Sequence, residues 1–176
     1  MMAETIVDRL YKEIKELQKF LEEQSEISFA TFSDSNFRKS LLLSSASFFE
    51  KEIKRIIEEF TNEKTQNNFA LIAFLKNKAI ARQYHTFFNW NDNNANSFFG
   101  LFGSDFKEHM KKLIKADDEI NKYVKAFLEI GKERNRLVHQ DFGNFTLEKT
   151  TDEIFDLHSK AVKFVEIFET EIKENG

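Results

Sequence analysis

The sequence contains no cysteine. That one absence removes disulfides, thiolate nucleophiles, iron–sulfur ligation and cysteine-built zinc fingers together. It contains no proline either, and only five glycines in 176 residues, so the residues that stop or kink helices are nearly missing. Neither sign of charge is in large excess: 26 basic side chains face 30 acidic ones, a net charge of −4. A chain of that balance does not coat nucleic acid by bulk positive charge, and any such contact must come from a local patch. Long hydrophobic runs are absent too. The longest apolar-leaning stretch, residues 40–49, is interrupted by serines and too short to cross a bilayer. Residues 1–10 carry acids and lack the apolar centre of a secretory signal. Four histidines, His85, His109, His139 and His158, stand far apart with no HExxH-type spacing. The expectation is a cytoplasmic protein of one domain, without membrane, metal or cofactor.

What is present is helical periodicity. Ile6, Leu10, Ile14, Leu17 and Leu21 step by 4, 4, 3 and 4, the stripe of an amphipathic helix. Leu42, Ala46, Phe49, Ile53, Ile56 and Phe60 repeat it after the capping candidates Ser33 and Asp34. A third helix is expected over 67–88, with Phe69, Ile72, Leu75, Ala79 and Ile80 towards the core. The last carries Ile154, Leu157, Ala161, Phe164, Phe168 and Ile172 and starts near Thr151. Between them, residues 89–103 (NWNDNNANSFFGLFG) read as an ordered loop, since Trp90, Phe98, Phe99, Leu101 and Phe102 favour burial. Residues 140–150 read as a second connection. No stretch alternates with period two, so the fold class is all-α, a bundle of about five to six helices with no β-sheet. The domain is expected to span 1–176, its core over about 30–172 and an N-terminal helix, 4–29, packed on it. The 21 phenylalanines read as packing rather than as a stacking surface for bases.

The helix expected over 117–138 breaks its own pattern. Its stripe begins with Ile120, Val124 and Phe127; continued by 4, 3 and 4 it lands on Gly131, Arg134 and Val138. A mid-helix glycine costs roughly 1 kcal/mol relative to alanine, and an unpartnered buried arginine costs far more. Such violations mark functional or interface positions; the alternative is a structural ion pair between Arg134 and a core carboxylate such as Glu50. Asn135 and His139 stand at i and i+4 and share a face beside Arg134. An arginine fork for phosphate oxygens, an amide and an imidazole able to move protons form a phosphate-handling set.

Arg134-Asn135-x-x-x-His139 resembles the RxxxxH signature of HEPN domains, all-α dimeric proteins, many of them metal-independent ribonucleases. Leu137-Val138-His139 with Asp141-Phe142, the run from Phe145 to Ile154, Arg82-Gln83-Tyr84-His85 and Phe99-Gly100-Leu101-Phe102-Gly103 resemble the RiboL-PSP-type group in particular. The resemblance covers about residues 30–170. Family toxins silenced by adenylylation carry a tyrosine two residues after the motif histidine; here that position is Asp141, so the resemblance does not extend to that mode of control.

The resemblance implies an endoribonuclease of the toxin or phage-defence kind that attacks through the RNA's own 2′-hydroxyl, at a site formed at a homodimer interface. His139 would move the proton, Arg134 would stabilise the phosphorane-like charge, and Asn135 would orient His139 or the ribose. Residues 107–136 hold nine basic against six acidic side chains, and Lys132 and Arg136 flank the motif where they could follow an RNA backbone. Ser47 and Glu50, at i and i+3, and Asp141 are supporting candidates. Arg82, Tyr84 and His85 read as a structural group tying the Asn-rich loop to the bundle. His109 and His158 read as solvated or satisfied. The partners expected are RNA, a second copy of the chain, and an antitoxin or defence-system protein. The competing reading is a non-catalytic HEPN module that dimerises and binds RNA or a nucleotide under a partner's control.

Overall fold

The computed structural model describes residues 4–140 and 142–176, and among these there is no strand. Five long helices carry the fold: α1 (Ile6–Glu23), α2 (Ile27–Lys64), α6 (Ser104–Ala116), α7 (Asp118–His139) and α8 (Thr151–Asn175). Short pieces α3 (Phe69–Leu75), α4 (Tyr84–Phe87) and α5 (Asn96–Phe99) lie between α2 and α6. Capping chemistry explains several starts. Thr5 and Thr150 each close a reciprocal box with Asp8 and Glu153 at the heads of α1 and α8, satisfying amides that would otherwise be orphaned. Asp117 caps α7 by accepting from the Glu119 amide at 2.8 Å.

Helices α2, α7 and α8 form the centre, with α1 laid across α2 and α8. The phenylalanines do the packing expected of them. Phe127 of α7 lies 5.5 Å from Phe49 of α2 and 5.0 Å from Phe164 of α8, ring to ring, all three fully buried. Tilted and edge-on pairs of this kind add about 0.5–1.5 kcal/mol beyond area burial. Arg55 of α2 grips Glu169 of α8 through both terminal guanidinium nitrogens, at 3.2 and 3.0 Å, and also meets Glu52 and Glu59.

Three expectations change. The N-terminal helix ends at Glu23 rather than 29, because Ser25 adopts a left-handed φ of 59° that turns the chain. As α2 begins at Ile27, Ser33 and Asp34 are not caps but interior residues, Asp34 pairing with Arg38 at 2.8 Å. The third helix is broken. After α3 come a π-helical turn over Lys76–Ile80, an extended Ala81 and a left-handed Arg82 with φ 62°. The apolar spacing of 69–80 supplies a helical stripe but little to pack it on: Phe69 is 86 % exposed and Ala79 is exposed, while Ile80 is buried.

The Asn-rich segment is indeed ordered. Side chains of Asn89 and Asn94 accept from the amides two residues on, at 3.3 and 3.0 Å, the turn-forming habit of asparagine. It also holds α5 and a 3₁₀ turn, Gly100–Phe102. Phe98 and Phe99 are fully buried there, but Leu101 is 60 % exposed. Helix α6, absent from the expectations above, carries a stripe of Phe106, Met110 and Leu113 at steps of 4 and 3, of which Phe106 and Met110 are buried.

Candidate active site

The irregular end of α7 faces a cavity of about 380 Å³, within the range of small-ligand sites. Phe127, Ile130, Gly131, Arg134, Asn135 and His139 form one wall, Ala46, Ser47, Phe49 and Glu50 of α2 another, and Arg82, Tyr84, His85 and Trp90 close it. The stripe that packs the core at Phe127 therefore continues as a cavity wall at Gly131 and Arg134 and emerges at Val138, which is 45 % exposed rather than buried. The core register past Phe127 shifts to Ile130 and Leu137. An α-helix turns 100° per residue, so this rotation towards neighbouring positions widens the buried face without breaking the helix.

Gly131 has a specific cause. A Cβ there would lie 1.9–2.0 Å from two ring carbons of Trp90, so the indole rests directly on the α7 backbone. This close approach to the helix is made by a side chain of the Asn-rich segment. The Trp90 indole N–H donates to the backbone carbonyl of His85 at 3.0 Å. Its ring also lies 4.9 Å from Phe88 and 5.7 Å from Tyr84. Trp90 thus joins α4 and α7 around one side of the cavity.

The charged groups arrange differently from the simplest expectation. Arg134 is half-buried and donates to the Asn135 side-chain oxygen at 3.1 Å, so Asn135 holds the arginine rather than the imidazole. Glu50 pairs with Lys54 one turn along α2; the structural pair Arg134–Glu50 is not the arrangement adopted. Both act on Tyr84 instead. Its hydroxyl is pushed well above the usual phenol range, first by desolvation and then by the Glu50 carboxylate, with Arg134 opposing. A neutral phenol O–H therefore stands among these charges as a hydrogen-bond donor.

Other candidates lie elsewhere. Lys132 is exposed and lines a smaller cleft beside Trp90. Arg136 is on the far side of α7, paired at 2.7 Å with the buried Glu133 and set 5.6 Å from the Phe145 ring. Asp141 lies outside the described residues. His109 pairs with Glu171 at 2.6 Å. His158 is 1 % exposed, sharing hydrogen bonds with Ser45 at 2.9 Å and Thr5 at 3.4 Å. Burial lowers its pKa to about 4, Asp8 opposing, so it is a neutral core histidine at physiological pH. Among the described residues no three His, Asp or Glu side chains gather as a metal would require. The group that sequence reasoning undervalued is Arg82, Tyr84 and His85, which line the cavity as well as tying the loop to the bundle. Their one sequence signal is an arginine and a histidine beside a tyrosine, in a segment whose spacing fits an ordinary helix.

A helical bundle whose long penultimate helix ends in Arg-Asn-x-x-x-His beside a cavity has the build of a HEPN-type domain. The chain belongs to the RiboL-PSP-HEPN family: that family's model matches residues 8–174, nearly its whole length. This places it, in broad class, among ribonuclease-type or RNA-related modules. Searches of the curated proteins and of the solved structures return no match. Among the described residues no helix is long and apolar enough to cross a membrane.

Proposed function

We propose that the chain is a metal-independent endoribonuclease of the toxin or phage-defence kind, working as a homodimer. The observation that carries this reading is the gathering of Arg134, Asn135 and His139 on one cavity wall opposite Ser47 and Glu50. Arg134, fixed by Asn135, is aimed to stabilise charge on the phosphorane-like transition state. His139, solvent-accessible at the end of α7, transfers a proton at the 2′-hydroxyl or at the leaving 5′-oxygen. The product is a 2′,3′-cyclic phosphate and a free 5′-hydroxyl, and DNA is spared because it has no 2′-hydroxyl. Dimerisation is favoured by the exposure of Val138 and Phe142, each 45 % accessible, on either side of the motif's end.

The test is incubation of the purified protein with total tRNA and rRNA in excess EDTA, beside Arg134→Ala and His139→Ala. Cleavage to cyclic phosphate ends, lost in both folded variants, is the expected result. A folded wild-type dimer that binds RNA but never cuts it would instead make this a binding module.

A further inference from the structure

Cleavage through a 2′-hydroxyl moves two protons. One leaves the 2′-oxygen as the P–O2′ bond forms, and one reaches the 5′-oxygen as the P–O5′ bond breaks. A neutral imidazole takes the first and becomes imidazolium; an imidazolium gives the second and becomes neutral; solvent restores both. A cavity equipped for both steps needs two proton-transfer groups. The motif on α7 provides one such group per chain, His139, so the second comes from elsewhere in the same cavity or from the second copy of the dimer.

The same cavity contains a second imidazole. His85, at the start of α4, lines it together with His139, and its side chain is exposed, not packed into the core. The backbone around it is unusual. The chain reaches it through a π-helical turn and then Arg82, a non-glycine residue in left-handed conformation. Both features are uncommon, cost free energy, and concentrate at functional sites. Arg82 and His85 line the cavity from this segment, outside α2 and α7, while the Trp90 indole donates to the His85 carbonyl and rests on Gly131. The ionisable groups facing His85 are Glu50 from α2, Arg134 and His139 from α7, and Arg82 and Tyr84 from its own segment. Two arginines and two histidines around one carboxylate suit a phosphodiester.

Resting on the ribonuclease reading above, we propose that His85 is the second proton-transfer group of the reaction, acting with His139 in the cavity of one chain, and that Arg82 joins Arg134 in binding the scissile phosphate. The experiment is kcat/KM against pH in EDTA for the wild type, His85→Ala and His139→Ala, with His85→Asn as a variant that keeps a polar side chain. Substrates are an oligoribonucleotide and its analogue with sulfur in place of the leaving 5′-oxygen.

The wild type is expected to give a bell-shaped profile. Each histidine variant loses a different limb and about 10²–10⁴-fold in rate. The sulfur analogue, whose leaving group needs no proton, restores only the variant lacking the acid. A His85→Ala or His85→Asn enzyme that keeps both limbs and a rate within about threefold of wild type overturns the proposal while the ribonuclease reading stands. Activity regained in co-expressed mixed dimers of His85→Ala and His139→Ala overturns the same-chain pairing. A wild type that cuts nothing overturns both readings.

Discussion

Gly131 shows how misleading a single residue is without its neighbour. Propensity alone makes Gly131→Ala stabilising by roughly 1 kcal/mol. The Trp90 ring at 1.9 Å reverses the sign. Overfilling a packed site costs about 1–3 kcal/mol, so urea unfolding of Gly131→Ala should show a loss of that order. Trp90→Ala combined with it should cost much less than the sum of the two single changes. His158 makes a different kind of prediction. Its folded pKa of about 4 lies below the ordinary histidine value of 6.5, so the unfolded chain binds a proton first as pH falls. The stability contributed by neutral His158 is complete above pH 6.5 and is lost as pH drops from there towards 4, by roughly 3 kcal/mol in all. Unfolding midpoints measured between pH 7 and 4.5 should therefore fall more steeply for the wild type than for His158→Gln.

At the scale of the element, helix ends and helix breaks obey local chemistry. The capping box at Thr150 predicts that Thr150→Ala loses about 1 kcal/mol, readable by thermal or urea unfolding. Phe69→Ser, on a ring that is 86 % exposed, should change the unfolding free energy by under about 0.5 kcal/mol. The all-α class was legible because no proline interrupts the stripes of α1, α2, α7 and α8, and the positions of Phe49, Ile53, Phe127 and Phe168 in the core follow from spacing alone. The π-turn and the left-handed Arg82 were not legible, since residues 69–80 satisfy a helical template that only tertiary packing can veto. The candidate site was half legible. Arg134 advertises itself by breaking a stripe near a helix end, and His139 by sharing a face with Asn135 beside it. Arg82 and His85 break no pattern, and only the turn that precedes them brings them round to the same cavity.

For the whole molecule, the number of copies governs how the cavity works. HEPN domains commonly dimerise and bind RNA, and two half-exposed apolar side chains, Val138 and Phe142, frame the end of the motif. Light scattering should give twice the 20.8 kDa chain mass. Val138→Asp should shift the species towards that single-chain mass and reduce cleavage with it, because burying a carboxylate in an apolar contact is costly. A wild type that runs at the single-chain mass at all concentrations removes the dimer from the reading and leaves the cavity to act alone. The chain also carries a single tryptophan, and it is Trp90, one of the cavity's own lining residues. Its emission therefore comes from one place only. Colour and intensity of that emission should respond when an oligonucleotide enters, giving affinities and stopped-flow rates from unlabelled protein.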